Sequence, residues 1–350
     1  MVYIHSIATA VPERKVNQKD VREFAGELFK NSGLDIERLL PVFTSTEIKQ
    51  RAILKDIPWY SKTRTFKEKN EAFLEDSLEL SRQAALKLFE SAKVHPEEID
   101  ALIVVSSSGF VVPTLDARLI DILGIPTDAI RLPIVGLGCA GGAFSLARAR
   151  EISAIYPEKN ILVIAVESCT LTFRPADKRK ANLIALSLFS DGAAAILISG
   201  KPKEKSIMLK SSKSRKWRES LDVMGWDIEE DGLQVVFDKS IPWLIKENFL
   251  NFYEKFLLEI GINKDSIKHY LMHPGGKKVL QAFGEALNLP ESSFSYSKNV
   301  LENYGNMSSP TVFFVIGDFI KSQNFKAKES GIISAMGPGF TCDLLHFETT

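Results

Sequence analysis

The sequence predicts an α/β protein assembled from two similar halves, and three observations carry that prediction. Short apolar runs rich in β-branched residues alternate with amphipathic helical stretches along most of the 350 residues. The apolar runs are continuous rather than alternating, as in ALIVV at 101–105 and ILVIAV at 161–166. Such runs belong to strands covered on both faces by helices, in a largely parallel sheet. A polar stretch, SGKPKEKS at 199–206, interrupts the rhythm, and the same alternation resumes after it. The halves are therefore placed at 1–203 and 204–350, as a duplicated α/β unit without a residue-level repeat.

The elements follow in order. Residues 3–9 read as the first strand, and 42–72, rich in charge and turn formers, as a surface cap. LEDSLELSRQAALKLFESAK at 74–93 has helical periodicity, and ALIVVSS at 101–107 is the next strand. RLPIVGLG then leads to a Gly/Ala-rich helix that starts at Cys139, followed by strands at 161–167 and 193–199. In the second half, strands are expected at 207–210, 269–273, 331–335 and 341–347, with helices at 241–260 and 276–287.

Hydrophobic residues make up 45% and charged residues 25%, the balance of a soluble globular protein. Formal net charge is zero, which favours neither nucleic acid nor an anionic membrane. The first residues lack a basic flank with a following apolar segment, and no apolar run approaches the length of a membrane span. The expected location is cytoplasmic. Cysteines 139, 169 and 342 show no paired spacing, which argues against a disulfide framework or a structural zinc site.

Cys139 lies in GLGCAGGAFSLARARE, at the first turn of the predicted helix. Unpaired backbone N–H groups there favour a thiolate, and small neighbours leave the sulfur open. A buried structural cysteine is the alternative. A thiolate nucleophile needs a base, and acyl transfer needs donors for an oxyanion. Among five histidines, His5 and His346 sit in strand patterns and His95 in a polar turn. His273 differs, because LMHPGG sets it where an apolar strand ends in a Pro-Gly-Gly turn, a place where α/β folds present catalytic groups. His269 is the other candidate, within a polar stretch. Asn306, in YGNMSSP before an apolar helix, reads either as a helix cap together with Ser308 or Ser309, or as an amide donor to an enolate oxygen.

GCAGG around Cys139, HPGG at His273, YGNMSSP at Asn306 and MGPGF at 336–340 together resemble the type III polyketide synthases, the chalcone synthase-like family. TFRPAD at 172–177 and LFSDGAAA at 188–195 extend the resemblance over nearly the whole chain. It implies the thiolase fold, five-layered αβαβα from two duplicated halves, and a homodimer. Cys139 would carry the acyl chain as a thioester, and His273 would hold it as a thiolate–imidazolium pair. His273 and Asn306 would polarise the malonyl carbonyl during decarboxylation. Acyl-CoA and malonyl-CoA are the implied substrates, with no metal or redox cofactor.

Phe189 matches a bulky residue at the junction of the coenzyme A tunnel, and Met336, Gly337, Pro338 and Gly339 match a loop that shapes the cyclisation cavity. Cys169, Thr172, Val235 and Ser308 fall at cavity positions. Val235 stands where plant enzymes carry a second gatekeeper Phe, and Cys169 where they carry a Thr. Val112 stands where they carry a Met that reaches across the dimer. The lost bulk at Val235 points away from a chalcone and toward a medium- or long-chain fatty acyl starter, giving alkylpyrones or alkylresorcinols. For the coenzyme A phosphates the candidates are Lys49, Arg51 and Lys55, or Arg174 with residues 178–180.

Three other readings compete. A single-round 3-ketoacyl synthase uses the same trio, but GNMSSP with MGPG favours iterative synthesis from coenzyme A thioesters. A papain-like hydrolase would place its Cys near the N-terminus. A non-catalytic scaffold is disfavoured because Cys139, His273 and Asn306 are all present.

Overall fold

Apolar runs become strands and amphipathic stretches become the helices that cover them. The computed structural model describes all 350 residues. The strands are β1 (Val2–Ala10), β2 (Lys15–Asn17), β3 (Gln50–Ala52), β4 (Ala101–Ser106), β5 (Ile130–Val135), β6 (Ile161–Ser168) and β7 (Asp191–Ser199) in the first half. The second half contributes β8 (Ile207–Lys216), β9 (Met224–Glu229), β10 (Gly232–Phe237), β11 (Ile267–Met272), β12 (Ser330–Gly337) and β13 (Thr341–Thr349). The longer helices are α1 (Gln18–Phe29), α2 (Phe66–Ala92), α3 (Leu115–Leu123), α4 (Gly141–Ile155), α5 (Lys180–Leu188), α6 (Ile241–Glu259), α7 (Lys277–Leu287), α8 (Ser295–Tyr304) and α9 (Thr311–Ser322).

Nine strands form one sheet in the order β11-β12-β13-β8-β1-β7-β6-β4-β5. It consists of two half-sheets joined where Val2 and Tyr3 of β1 pair with Leu209 and Met208 of β8. Helices α4 and α9 lie between the half-sheets, and their apolar faces share one core with both. Helix α2 covers the first half-sheet from outside, and α6 with α7 covers the second. The layers are therefore αβαβα, as expected.

The direction of the strands was not. Only β4–β5, β4–β6 and β11–β12 run parallel. The neighbours β6–β7, β1–β7, β1–β8, β8–β13 and β12–β13 are antiparallel. A strand buried on both faces is apolar throughout whichever way its neighbour runs, so the pattern carried no direction.

Helix α2 begins eight residues before the predicted start, because Thr65 and Glu68 close a capping box over a polar first turn. Residues 42–72, expected to be a surface cap or loop region, are largely at the surface but anchor inward at several side chains. Phe43, Arg51 and Tyr60 within them are all less than 9% exposed, since the segment packs against α1 and α5.

Candidate active site

Cys139 sits in a short 3-10 turn, Gly138–Ala140, that runs directly into α4. Gly138 has φ +46°, and its N–H donates to Ser107 Oγ at 2.9 Å. A Cβ on Gly138 would lie 2.8 Å from Pro338 Cδ, so the Gly-Pro-Gly loop packs on the cysteine turn itself. That loop is tied back in turn, with Gly339 N–H donating to Met224 O at 3.0 Å and Ser220 Oγ to Gly339 O at 2.9 Å.

His273 follows the last residue of β11 and extends its ladder, its N–H donating to Ser334 O at 2.7 Å. The ring is buried, and neither nitrogen has a hydrogen-bond partner. Asn306 comes from the loop before α9. Its Oδ1 accepts Ser308 N–H at 2.8 Å and its Nδ2 donates to Gly275 O at 3.2 Å. The same Oδ1 stands 3.9 Å from Cys139 Sγ. Cys139 and Asn306 thus come from loops of the two halves and meet side chain to side chain, while His273 lies two residues before Gly275, whose carbonyl holds the Asn306 amide.

Burial opposes a charge on either Cys139 or His273. Burial pushes Cys139 up to about 11, outweighing Asn306, Ser308 and the backbone N–H groups, which pull it down. Burial pushes His273 down to about 3. No hydrogen bond joins the two side chains. The cysteine lies where the sequence puts it, at the turn that leads into α4.

Three of the other histidines are engaged elsewhere. His5 bonds Ser199 Oγ at 2.9 Å, His269 bonds Glu329 at 2.9 Å, and His346 bonds Ser330 Oγ at 2.7 Å.

Glu167 was missed. Its Oε2 accepts Ser107 N–H at 2.9 Å and the Ser108 hydroxyl at 2.7 Å, and its Oε1 accepts the Ser309 hydroxyl at 2.8 Å. Burial raises it to about 6. A lone acid closing the apolar strand ILVIAVES was the available signal.

Cys169, Phe189 and Val235 are buried together in one apolar cluster with Ala185. Burial, with Glu167, Asp191 and Cys139 nearby, drives the Cys169 thiol well up, leaving a neutral wall residue. The Phe189 ring lies 5.7 Å from Trp226 and 5.6 Å from Phe237, so two aromatics unread in the sequence surround the gate position. Thr172 turns its hydroxyl to Cys169 O at 2.7 Å, and Ser308 has φ +60°. Met336 is buried beside the Gly-Pro-Gly loop.

A cavity opens beside this cluster, and twelve of its sixteen lining residues are hydrophobic. Cys169, Thr172, Phe189 and Val235 form its inner wall, and Val21, Phe24, Ile53 and Ile57 lie further out. Cys139, His273 and Asn306 are not on its wall.

Most of the expected phosphate-binding cations are engaged within the protein, Lys180 being the exception. Arg51 is buried, Lys55 pairs with Asp76 at 2.7 Å, and Arg174 pairs with Asp231 at 2.5 Å. Lys178 donates to Leu28 O at 2.9 Å, and Lys49 pairs with Glu302.

Comparison with known proteins agrees with this architecture. Residues 2–202 match the N-terminal domain of the chalcone and stilbene synthases, and 209–349 match their C-terminal domain. A chalcone synthase-like protein of Bacillus subtilis strain 168 is 39% identical, with 99% of this chain and 98% of that protein covered. The 1,3,6,8-tetrahydroxynaphthalene synthase of Streptomyces peucetius is 32% identical over 98% of this chain and 92% of its own. The crystal structure of the corresponding Streptomyces coelicolor synthase superposes with a TM-score of 0.94 at 24% identity, covering 99% of both chains, which bears on the fold. The C-terminal type III polyketide synthase domain of Steely1 from Dictyostelium superposes at 0.91 with 26% identity, again over 99% of both. With both halves matched, this chain belongs to the chalcone and stilbene synthase family, acyl-transferring type III polyketide synthases of the thiolase fold.

Proposed function

We propose that this enzyme condenses a medium- or long-chain fatty acyl-CoA starter with malonyl-CoA two or three times and releases an alkylpyrone or alkylresorcinol. The observation that carries the starter class is the apolar lining of the cavity behind Cys169, Phe189 and Val235, where twelve of sixteen residues are hydrophobic. Such walls offer an alkyl chain burial without polar cost. A relative of 25% identity from Mycobacterium tuberculosis is described as acting in alpha-pyrone synthesis, which is consistent with that product.

In this reading Cys139 Sγ attacks the starter carbonyl, the C–S bond to coenzyme A breaks, and His273 takes the thiol proton as the new thioester forms. Neither group charges alone, because burial opposes each charge. Charged together, each is the other's counter-ion at low dielectric, and their attraction offsets the burial. Malonyl-CoA then loses carbon dioxide while His273 and Asn306 Nδ2 donate to the thioester oxygen, where the enolate charge develops. The enolate carbon attacks the acyl carbonyl on Cys139, forming the C–C bond, and Sγ leaves as thiolate.

We also propose a homodimer. Strand β5 is a free sheet edge, and near it Phe110, Val112 and Val135 are 51%, 92% and 49% exposed. Ser107 and Ser108, on the same loop as Val112, hold Gly138 and Glu167, so a second copy covering Val112 would brace the site.

The deciding experiment supplies hexanoyl- and palmitoyl-CoA with labelled malonyl-CoA and identifies the products by mass spectrometry. Pyrones or resorcinols from the long starter are expected. Single-extension ketoacyl products alone would favour a ketoacyl synthase.

A further inference from the structure

Arg51 is a charged residue only 2% exposed, in the three-residue strand β3, with no carboxylate within hydrogen-bond reach. Its Nη1 donates to Leu186 O at 2.7 Å and to Phe189 O at 2.6 Å. Those carbonyls lie at the C-terminal end of α5, where carbonyls lack intrahelical partners and a cation is favoured. Between them lies Leu188, whose carbonyl accepts the Asn306 N–H at 2.9 Å, and Ser190 N–H returns a bond to Asn306 O at 3.0 Å. Phe189 and Asn306 are thereby joined as a parallel bridge.

The stem of Arg51 reaches the same loop from the other side. Gly305, immediately before Asn306, has φ +71°, and a Cβ there would stand 2.8 Å from Arg51 Cγ and Cδ and 3.0 Å from Leu188 O. One side chain therefore bonds the carbonyls on either side of Leu188, whose own carbonyl holds Asn306, and packs against the residue before Asn306.

We propose that Arg51 is a positioning residue for decarboxylation: it fixes the end of α5 and the Gly305–Asn306 turn as one unit, so that the Asn306 amide points at the malonyl thioester oxygen. This rests on the role given above to Asn306. Misplacing a catalytic donor by an ångström, without touching the nucleophile, slows only the step that uses the donor.

The test uses the full-length enzyme with malonyl-CoA and no starter, following carbon dioxide release, alongside iodoacetamide labelling of Cys139 and thermal melting. In Arg51→Met the decarboxylation kcat should fall at least about tenfold, with KM and the labelling rate within about twofold of wild type. Arg51→Lys, whose ammonium keeps the charge near α5, should recover part of the loss. Should Arg51→Met not fold, Arg51→Lys decides the matter, since only a fall in decarboxylation with KM and labelling unchanged supports the proposal, and Gly305→Ala should also slow decarboxylation because it strains the same turn. A folded Arg51→Met or Gly305→Ala that decarboxylates at the wild-type rate, while Asn306→Ala is inactive, overturns the proposal. Full decarboxylation by Asn306→Ala instead overturns the underlying reading of Asn306, and the Arg51 proposal with it.

Discussion

Glu167 and Ser309 bind the two halves together at the site, with Oε1 of the first accepting the hydroxyl of the second at 2.8 Å. Burial raises this carboxyl from 4.5 to about 6, so the fold favours its protonated form. For an acid raised on folding, the stabilisation is complete below the unfolded value and is lost as pH rises through the folded one. The difference is about 2 kcal/mol. Asp191, raised to about 7, acts with the same sign. Glu167→Gln should therefore lose less melting temperature than wild type between pH 4.5 and 7. Parallel melting curves across that range would show that Glu167 does not titrate there.

Cys139 and His273 give a second prediction. If the imidazole is the thiolate's counter-ion, His273→Gln should move the pH dependence of iodoacetamide labelling upward, toward the thiol's own value of about 11. The loss of labelling rate at pH 7 should be about tenfold or more. Identical labelling profiles for the two proteins would remove His273 from the activation of the thiol.

Much of the fold was legible in the sequence because continuous apolar runs leave little choice. Strands β4, β6, β7 and β12 and helices α6 and α7 fall within a few residues of their predicted bounds. The edge strand β5 was not, since its RLPIV is half exposed and carries Pro133. The hairpin β9–β10 was hidden as well, its polar stretch around Glu229 to Gly232 reading as loop. Cys139, His273 and Asn306 were visible through their flanking glycines and turns. Glu167, Trp226 and Phe237 were not, because their importance lies in what packs beside them rather than in local pattern.

The cavity yields a third prediction. Val235 faces Phe189 and Cys169, and Val235→Phe adds a ring to a wall already holding Phe189, Trp226 and Phe237. The ratio of kcat/KM for palmitoyl-CoA to that for hexanoyl-CoA should drop about tenfold or more, since overpacking a filled wall costs roughly 1–3 kcal/mol. An unchanged ratio would place the starter chain elsewhere.

The cysteine turn yields a fourth. Gly138→Ala puts a methyl 2.8 Å from Pro338 Cδ at φ +46°. Condensation should slow at least about tenfold, with thermal stability lowered by about 1–3 kcal/mol. Product assays and melting of the same sample check both.

The seam between the half-sheets has a consequence for how the enzyme fails. Two residue pairs of β1 and β8 join the sheets, and the inner helices α4 and α9 both begin at the site, with Gly142 against Ser309 O. Chemistry here is a property of docking between two halves that share one buried core around α4 and α9. Heat or denaturant should first let the halves slip, silencing turnover while the far-UV circular dichroism is still unchanged. Nicking the chain at 200–206 should leave an enzyme that works only while the pieces stay clasped.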